Sequence, residues 1–203
     1  MLLVHGIWAN GLDMVLLKTR LERAGFATRM FTYPSVRTPP CDNAHNLQRL
    51  VGRIKSPVLH FVCHSLGGLI VRHLFHHYPE QRPGRVVTLG TPHTTSTAAR
   101  QLSRLSTGRW LLGHSLEEGL LGGAPPWRNR HDLGVIAGRL RLGFGLFVPG
   151  IPQPSDGTVA VAETRLEGMA DHIVLPVSHF GMLLSRQVVS QTRHFLEHGR
   201  FRH

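Results

Sequence analysis

The chain has 203 residues, which at roughly 150 per domain leaves room for one compact domain and excludes a modular assembly. Hydrophobic residues make up 41% and charged residues 17%, a balance that builds a globular core and excludes a disordered or fibrous chain. The formal charge of +11 comes from 23 basic residues, all arginine except Lys18 and Lys55. They are scattered, with no basic block of about five to eight residues, which argues against nucleic acid and for a solvated surface, with an anionic lipid surface as the one charged partner to consider.

In chain order, short β-rich runs alternate with segments of helical period, a βαβα rhythm without internal repeats. Leu2–His5 reads as a buried strand. Leu12–Ala24 reads as a helix with Leu12, Val15, Leu16 and Leu21 toward one side and Gly25 as its stop. Ala27–Tyr33 is the next strand, and Asn43–Ile54 is a helix with an apolar stripe of Ala44, Leu47, Leu50, Val51 and Ile54. Val58–Cys63 is a strand leading into a helix over Leu66–Tyr78, which Pro79 halts. Strands follow at Arg85–Leu89, Leu133–Ala137 and Ile173–Val177, and a last helix over Met182–His198 turns Leu183, Leu184, Val188, Phe195 and Leu196 inward. The expectation is an α/β fold with a six-stranded, mostly parallel sheet, because each pair of strands is separated by a crossover long enough to return over the sheet.

Two stretches break the rhythm. Residues 94–131 far exceed the usual connection of about two to six residues and are expected to form a cap, with Leu112, Leu116 and Leu120 on one helix ended by Gly122, Gly123, Pro125 and Pro126. Residues 141–154 are rich in glycine and proline around Phe144, Leu146, Phe147, Val148 and Ile151, which either line an apolar pocket or pack on the core.

Only Cys41 and Cys63 are cysteines, so neither a disulfide framework nor a four-cysteine metal site is supported. No basic leader and no run approaching about 18 apolar residues is present in the chain as given, so a soluble cytoplasmic protein is expected. His73, His76 and His77 have helical metal-ligand spacing, but no neighbouring carboxylate or cysteine completes a set, and no P-loop, dinucleotide fingerprint or EF-hand loop occurs. No metal and no cofactor is expected.

The sharpest chemical signal is Val62-Cys63-His64-Ser65-Leu66-Gly67-Gly68 between a strand and a helix. A strand turning directly into a helix forces Ser65 into a strained conformation, so its hydroxyl projects beyond the sheet while the Leu66 N–H points at the same space. Flanking residues must be small; Gly67 is, and Cys63 stands where glycine is usual. Gly113-His114-Ser115-Leu116-Glu117 nearly repeats the pattern, but Glu117 occupies a small-residue position and no strand precedes it, so Ser115 reads as a surface or cap serine.

With these residues the chain resembles the α/β-hydrolase family, and within it the small bacterial lipases and esterases. Val4-His5-Gly6-Ile7-Trp8 looks like the family's oxyanion loop, and Leu89-Gly90-Thr91-Pro92-His93 is similar to the segment after the strand that follows the nucleophile. The resemblance implies a triad in the chain order nucleophile, acid, histidine. Of the aspartates after Ser65, Asp132 and Asp171 precede strands and belong at the opposite rim, whereas Asp156, in Pro154-Ser155-Asp156-Gly157, follows one. Glu163 is the fallback acid, and a turn-capping role for Asp156 is the plain alternative. Of the histidines after Asp156, His172 precedes a strand and His194, His198 and His203 lie in or beyond the last helix. His179, on the loop after the last strand, is the base.

Ile7 and Leu66 N–H groups are expected to form the oxyanion hole, His5 to brace its loop, His64 to support, and Gly6, Trp8 and Gly67 to shape the pocket, with Trp8 alternatively filling core. The resemblance implies a cofactor-free lipase or carboxylesterase acting on a small-molecule ester or lipid. The same constellation cleaves thioesters and amides or transfers acyl groups, and a non-catalytic binding protein on the same fold is the other class.

Overall fold

Short strands buried along their whole length set the centre of the architecture. A computed structural model describes residues 1–128, 130–143 and 148–203. Six strands, β1 (Leu2–Val4), β2 (Arg29–Phe31), β3 (Phe61–His64), β4 (Val86–Leu89), β5 (Leu133–Gly138) and β6 (Asp171–Leu175), form one sheet in the order β2-β1-β3-β4-β5-β6. Every pairing is parallel, with Val4 opposite Cys63 and His64 opposite Leu89. Parallel strands need crossovers, and the crossover helices cover both faces, which is why these strands read as apolar runs.

Alternate residues feed the two faces. Leu2, Val4, Phe61 and Cys63 pack with Ala44, Leu47 and Val51 of α2 (Pro40–Gly52) and Leu69, Ile70 and Leu74 of α3 (Leu66–His77). Leu3, Val62 and Val87 face the other way, onto Leu17 and Leu21 of α1 (Val15–Arg23) and Val188 and Phe195 of α7 (Arg186–His198). Between β4 and β5 run α4 (Thr97–Leu102), α5 (Ser106–Leu112) and a 3₁₀ turn over Gly113–Leu116. A short α6 (Gly181–Leu184) precedes α7.

Four local expectations need correction. In the first helix Leu12, Val15 and Leu16 face solvent; a 3₁₀ turn over Leu12–Met14 precedes α1 and rotates its phase, so Met14, Leu17 and Leu21 are the buried positions. Leu112, Leu116 and Leu120 are all buried but do not share a helix: α5 ends at Leu112, where Gly113 takes φ 51°, and the chain continues as a 3₁₀ turn. The last helix is broken at Ser185, whose extended backbone and hydroxyl cap α7 by accepting from Val188 N–H at 3.3 Å. That break leaves Leu184 in solvent, while Leu183, Val188, Phe195 and Leu196 are buried as expected.

The last strand spans Asp171–Leu175, so the loop carrying His179 begins two residues earlier than the apolar run suggests. Val148 and Ile151 are buried against Ala98 and Ala160; Phe144, Leu146 and Phe147 lie outside the described residues. The cysteine missing from the sequence around His73, His76 and His77 is supplied by α2: Cys41 Sγ lies 3.2 Å from His77 Nε2. No helix among the described residues is long and apolar enough to cross a membrane.

Candidate active site

The β3–α3 turn makes the site. Ser65 has φ 51° and ψ −121°, a conformation L-residues avoid, and it is held there because β3 and α3 are both fixed by packing. Its N–H donates to the Leu89 carbonyl at 2.9 Å, and its own carbonyl accepts from the Thr91 hydroxyl at 2.8 Å. Leu66 is the first helical residue of α3, so its N–H is one of the four that no intrahelical carbonyl accepts. Gly67 is required by close approach: a Cβ there would stand 2.5 Å from the Val4 carbonyl oxygen and 2.7 Å from that of His5. The elbow therefore nests against the β1 loop. Cys63, two residues before the serine, is fully buried, and burial pushes its thiol up.

Across the cavity, Asp156 is fully buried with both carboxylate oxygens occupied. Oδ1 accepts from the N–H groups of Thr158 (2.8 Å) and Val159 (2.7 Å), and Oδ2 lies 2.7 Å from His179 Nδ1. The backbones are tied as well, His179 N–H donating to the Asp156 carbonyl at 2.9 Å. The turn-capping role and the pairing with histidine thus coexist, because a carboxylate has lone pairs for both. With Asp156 taking Nδ1–H, the lone pair of the ring is left on Nε2. Gly90, at φ 57°, sits under this pair; a Cβ there would come 3.0 Å from both Asp156 Oδ2 and His179 Nδ1.

Ser65 and His179 line one cleft of about 60 Å³ together with Gly6, Ile7, Trp8, Asp13, His64, Thr158 and Phe180. Ser65, Ile7, Trp8 and Thr158 also border a second cavity of about 50 Å³, whose walls are Ala98, Ala99, Leu102, Leu112, Leu120 and Val159. Both cavities are walled mainly by apolar surface, and the first also carries the polar side chains of Asp13, His64 and His179. Trp8 does not fill core: it is 52% exposed, with its Nε1–H donating to the Leu111 carbonyl at 2.9 Å and its N–H to the Ser35 hydroxyl at 3.0 Å. Phe180, 56% exposed, borders the same cleft.

The supporting histidines are neutral for a physical reason. His5 stacks on Tyr33 at 4.2 Å, donates from Nδ1 to the Gly6 carbonyl at 2.8 Å and accepts the Tyr33 N–H on Nε2 at 3.3 Å, while Tyr33 donates its hydroxyl to the His5 carbonyl. Burial lowers its pKa, offset in part by the Gly6 bond and the Asp13 charge. His64 is fully buried, with Nε2–H donating to the His179 carbonyl at 3.1 Å; burial first, and the nearby His179 second, depress its pKa well below the usual value.

The other sequence candidates are placed elsewhere. Glu163 is committed to Thr97 N–H (2.7 Å) and Ala160 N–H (2.9 Å). Ser115 is buried in the 94–131 segment rather than at the surface, donating to the Leu112 carbonyl. Asp132 pairs with Arg85 at 3.0 Å before β5, and Asp171 opens β6, both at the opposite rim. His172 bonds the Thr164 hydroxyl at 2.9 Å.

Asp13 was not legible. Both its carboxylate oxygens are buried without a hydrogen-bond partner among the described residues, and it lines the cleft with Ser65 and His179. Only the return of the chain after β1 brings it there; its sequence neighbours give no hint.

The chain matches the model of a family described as "Putative serine esterase (DUF676)" over residues 1–115. No curated protein matches it. Among solved structures, the lipase BlEst2 of Bacillus licheniformis in its propeptide form is 21% identical with a TM-score of 0.73, over 95% of this chain and 49% of that one. Phospholipase PlaB of Legionella pneumophila is 16% identical with a TM-score of 0.67, over 89% and 52%. Carboxylesterase CesB of Bacillus subtilis is 14% identical with a TM-score of 0.61, over 98% and 83%. The present chain spans about half the length of the first two. At these identities the likeness establishes the α/β-hydrolase fold.

Proposed function

The chain belongs to the family described as "Putative serine esterase (DUF676)", and on that premise we propose that it hydrolyses carboxylic esters by acyl transfer to Ser65 and then to water. The observation that carries the reading is the buried Asp156–His179 pair facing the same cleft as the strained elbow serine. His179 Nε2 accepts the Ser65 proton as Oγ bonds to the ester carbonyl carbon. The resulting oxyanion takes the N–H groups of Leu66 and Ile7. Collapse breaks the bond to the alcohol oxygen, which receives the proton from His179. Water then gives its proton to the same nitrogen, attacks the acyl-enzyme, and releases the acid as Ser65 regains its proton. Asp156 holds the ring in the tautomer this cycle needs and stabilises the imidazolium.

The apolar cavity beyond Ser65, walled by Leu102, Leu112 and Leu120, suits the acyl chain, and residues 94–131 then act as its cap. The exposed Trp8 and Phe180 at the lips favour apolar esters and lipids over small polar ones. Asp13 in the cleft with Ser65 and His179 disfavours an anionic group there, so the arginine-rich surface would contribute at most to docking on an anionic lipid surface.

A fluorophosphonate probe tests the reading. The expected result is a label on Ser65 in native protein, absent after heat denaturation and in Ser65→Ala. Native protein that takes no label on Ser65, or equal ester turnover in wild type and Ser65→Ala, overturns it in favour of a binding protein on this fold.

A further inference from the structure

We propose that Cys41, His45, His73 and His77 form a binding site for a zinc-class divalent transition metal that joins α2 to α3, apart from the catalytic cleft.

The site follows from helical geometry. Cys41 and His45 are four residues apart on α2, and His73 and His77 are four apart on α3, so each helix presents two ligand-bearing side chains on one face. The two helices pack side by side and turn these faces together. Cys41 Sγ lies 3.2 Å from His77 Nε2 and 3.7 Å from His45 Nε2. One ligand atom from each of Cys41, His73 and His77 falls within 4.8 Å of the others. In a tetrahedral zinc site, bond lengths of about 2.3 Å to sulfur and about 2.0 Å to nitrogen place sulfur and nitrogen about 3.5 Å apart. The two distances from Cys41 bracket that value. Among the described residues only this cluster gathers imidazoles around a thiol, and Asp42 adds a carboxylate at its outer side.

The surroundings are those a metal ligand needs. A coordinating imidazole usually donates its second ring nitrogen to a carbonyl or similar group, which fixes the tautomer and aims the lone pair. His73 is 1% exposed; its Nε2 lies 2.8 Å from the Glu118 carbonyl, while its Nδ1 is buried with no partner among the described residues. With Nε2–H donated to Glu118, Nδ1 carries an unused lone pair. His45 has its Nδ1 2.7 Å from the Tyr78 hydroxyl and its Nε2 toward Cys41. An orphaned buried nitrogen is costly unless something occupies it, and a cation bound by Cys41 and His77 would do so. Cys41 is half-buried and His77 exposed, which leaves an entry path for the ion.

Sulfur with imidazole nitrogen selects zinc-class ions over calcium or magnesium, which prefer oxygen. Binding forms a sulfur–metal bond and releases the Cys41 thiol proton to solvent. None of the four residues lines the cleft around Ser65. The metal would tie α2 to α3 and, through His73 and Glu118, hold the turn after α5.

The test uses the untagged full chain, stripped with a chelator and titrated with Co²⁺, then with Zn²⁺ in competition. The expected wild-type spectrum shows tetrahedral d–d bands and a near-ultraviolet sulfur-to-cobalt band, both displaced by Zn²⁺. Cys41→Ser is expected to lose the sulfur band, and Cys41→Ser and His77→Ala each to weaken Zn²⁺ binding at least 10- to 100-fold, on the order seen when zinc sites are damaged. Zn²⁺ at about 100 times its dissociation constant should raise the wild-type melting temperature by about 5–10 °C and leave that of Cys41→Ser nearly unmoved. A wild-type titration without the sulfur band overturns the proposal with no variant needed. Equal zinc affinity in wild type, Cys41→Ser and His77→Ala does so too, by assigning binding to other histidines.

Discussion

His64 Nε2 stands 3.1 Å from the carbonyl oxygen of His179, so the residue preceding the elbow serine holds the loop that carries the opposing imidazole. Their rings are 4.7 Å apart. The strained turn and the β6 loop are therefore joined from within, and their spacing does not depend on the exposed lips of the cleft. His64, though adjacent to Ser65, is unsuited to act as the base for a different reason: its ring is buried, which disfavours the imidazolium, and its partner is a carbonyl rather than a carboxylate that would stabilise that charge.

Substitution tests the proposed triad. Ser65→Ala and His179→Ala are each expected to lower ester turnover on the order of 10⁶-fold, and Asp156→Asn about 10⁴-fold, because residues that act as a unit fail together while a lost carboxylate chiefly spoils the tautomer. Steady-state kinetics on a chromogenic ester measure this. Full activity in Asp156→Ala, with loss in Glu163→Ala, would move the acid role to Glu163.

Gly67→Ala should lower both stability and activity. The new Cβ would meet the Val4 and His5 carbonyl oxygens at 2.5 and 2.7 Å, and backbone on both sides cannot yield as a flexible side chain would. Overpacking of this kind costs roughly 1–3 kcal/mol, or a few degrees of melting temperature per kcal/mol. Calorimetry showing an unchanged transition would contradict the close nesting of α3 on the β1 loop.

Stability should fall in mild acid. His64 and His93 are fully buried, and burial holds both pKa values well below the 6.5 of a free imidazole. The unfolded chain therefore binds more protons than the folded one once pH drops below about 6.5, so the stability these groups contribute is intact above that value and is lost as pH falls toward their folded pKa values. Each adds a slope of up to about 1.4 kcal/mol per pH unit. Urea midpoints at pH 7.5 and 5.5 decide it; no decrease would mean that the rings are not buried neutral.

Leu102 borders the apolar cavity while remaining half-exposed, so a larger side chain there can narrow the cavity without entering the core. Leu102→Trp is expected to cut kcat/KM for long acyl esters by about 10-fold or more relative to acetate, since one methylene in such a pocket is worth roughly 10- to 200-fold. A proportionate loss across the chain-length series would instead place the acyl chain elsewhere.

The centre of the sheet was legible in the sequence because β1, β3, β4 and β5 are buried on both sides, so each appears as a mostly apolar run between turn signals, whereas the edge strands β2 and β6 are part-exposed and include Arg29, Asp171 and His172. The elbow was legible because one short segment contains the strand, the turn and the helix start. Phase was harder. A 3₁₀ turn ahead of α1 moved burial from Leu12 to Met14, and the left-handed Gly113 divided three evenly spaced leucines among different local structures. What lay hidden were the meetings of distant chain segments: Asp13 against the cleft, and Cys41 against His77, 36 positions apart. No local pattern encodes such an encounter; it depends on the packing of α2 on α3 and on the path of the chain after β1.

The bond from the Trp8 indole to the Leu111 carbonyl spans the cleft wall, linking the loop after β1 to the end of α5. Any outward swing of α5 must surrender that bond and change the solvation of a half-exposed fluorophore. With Trp110 and Trp127 replaced by phenylalanine, Trp8 emission should therefore report when this rim parts and when a ligand enters beneath it, giving an optical gauge of occupancy that needs no added dye.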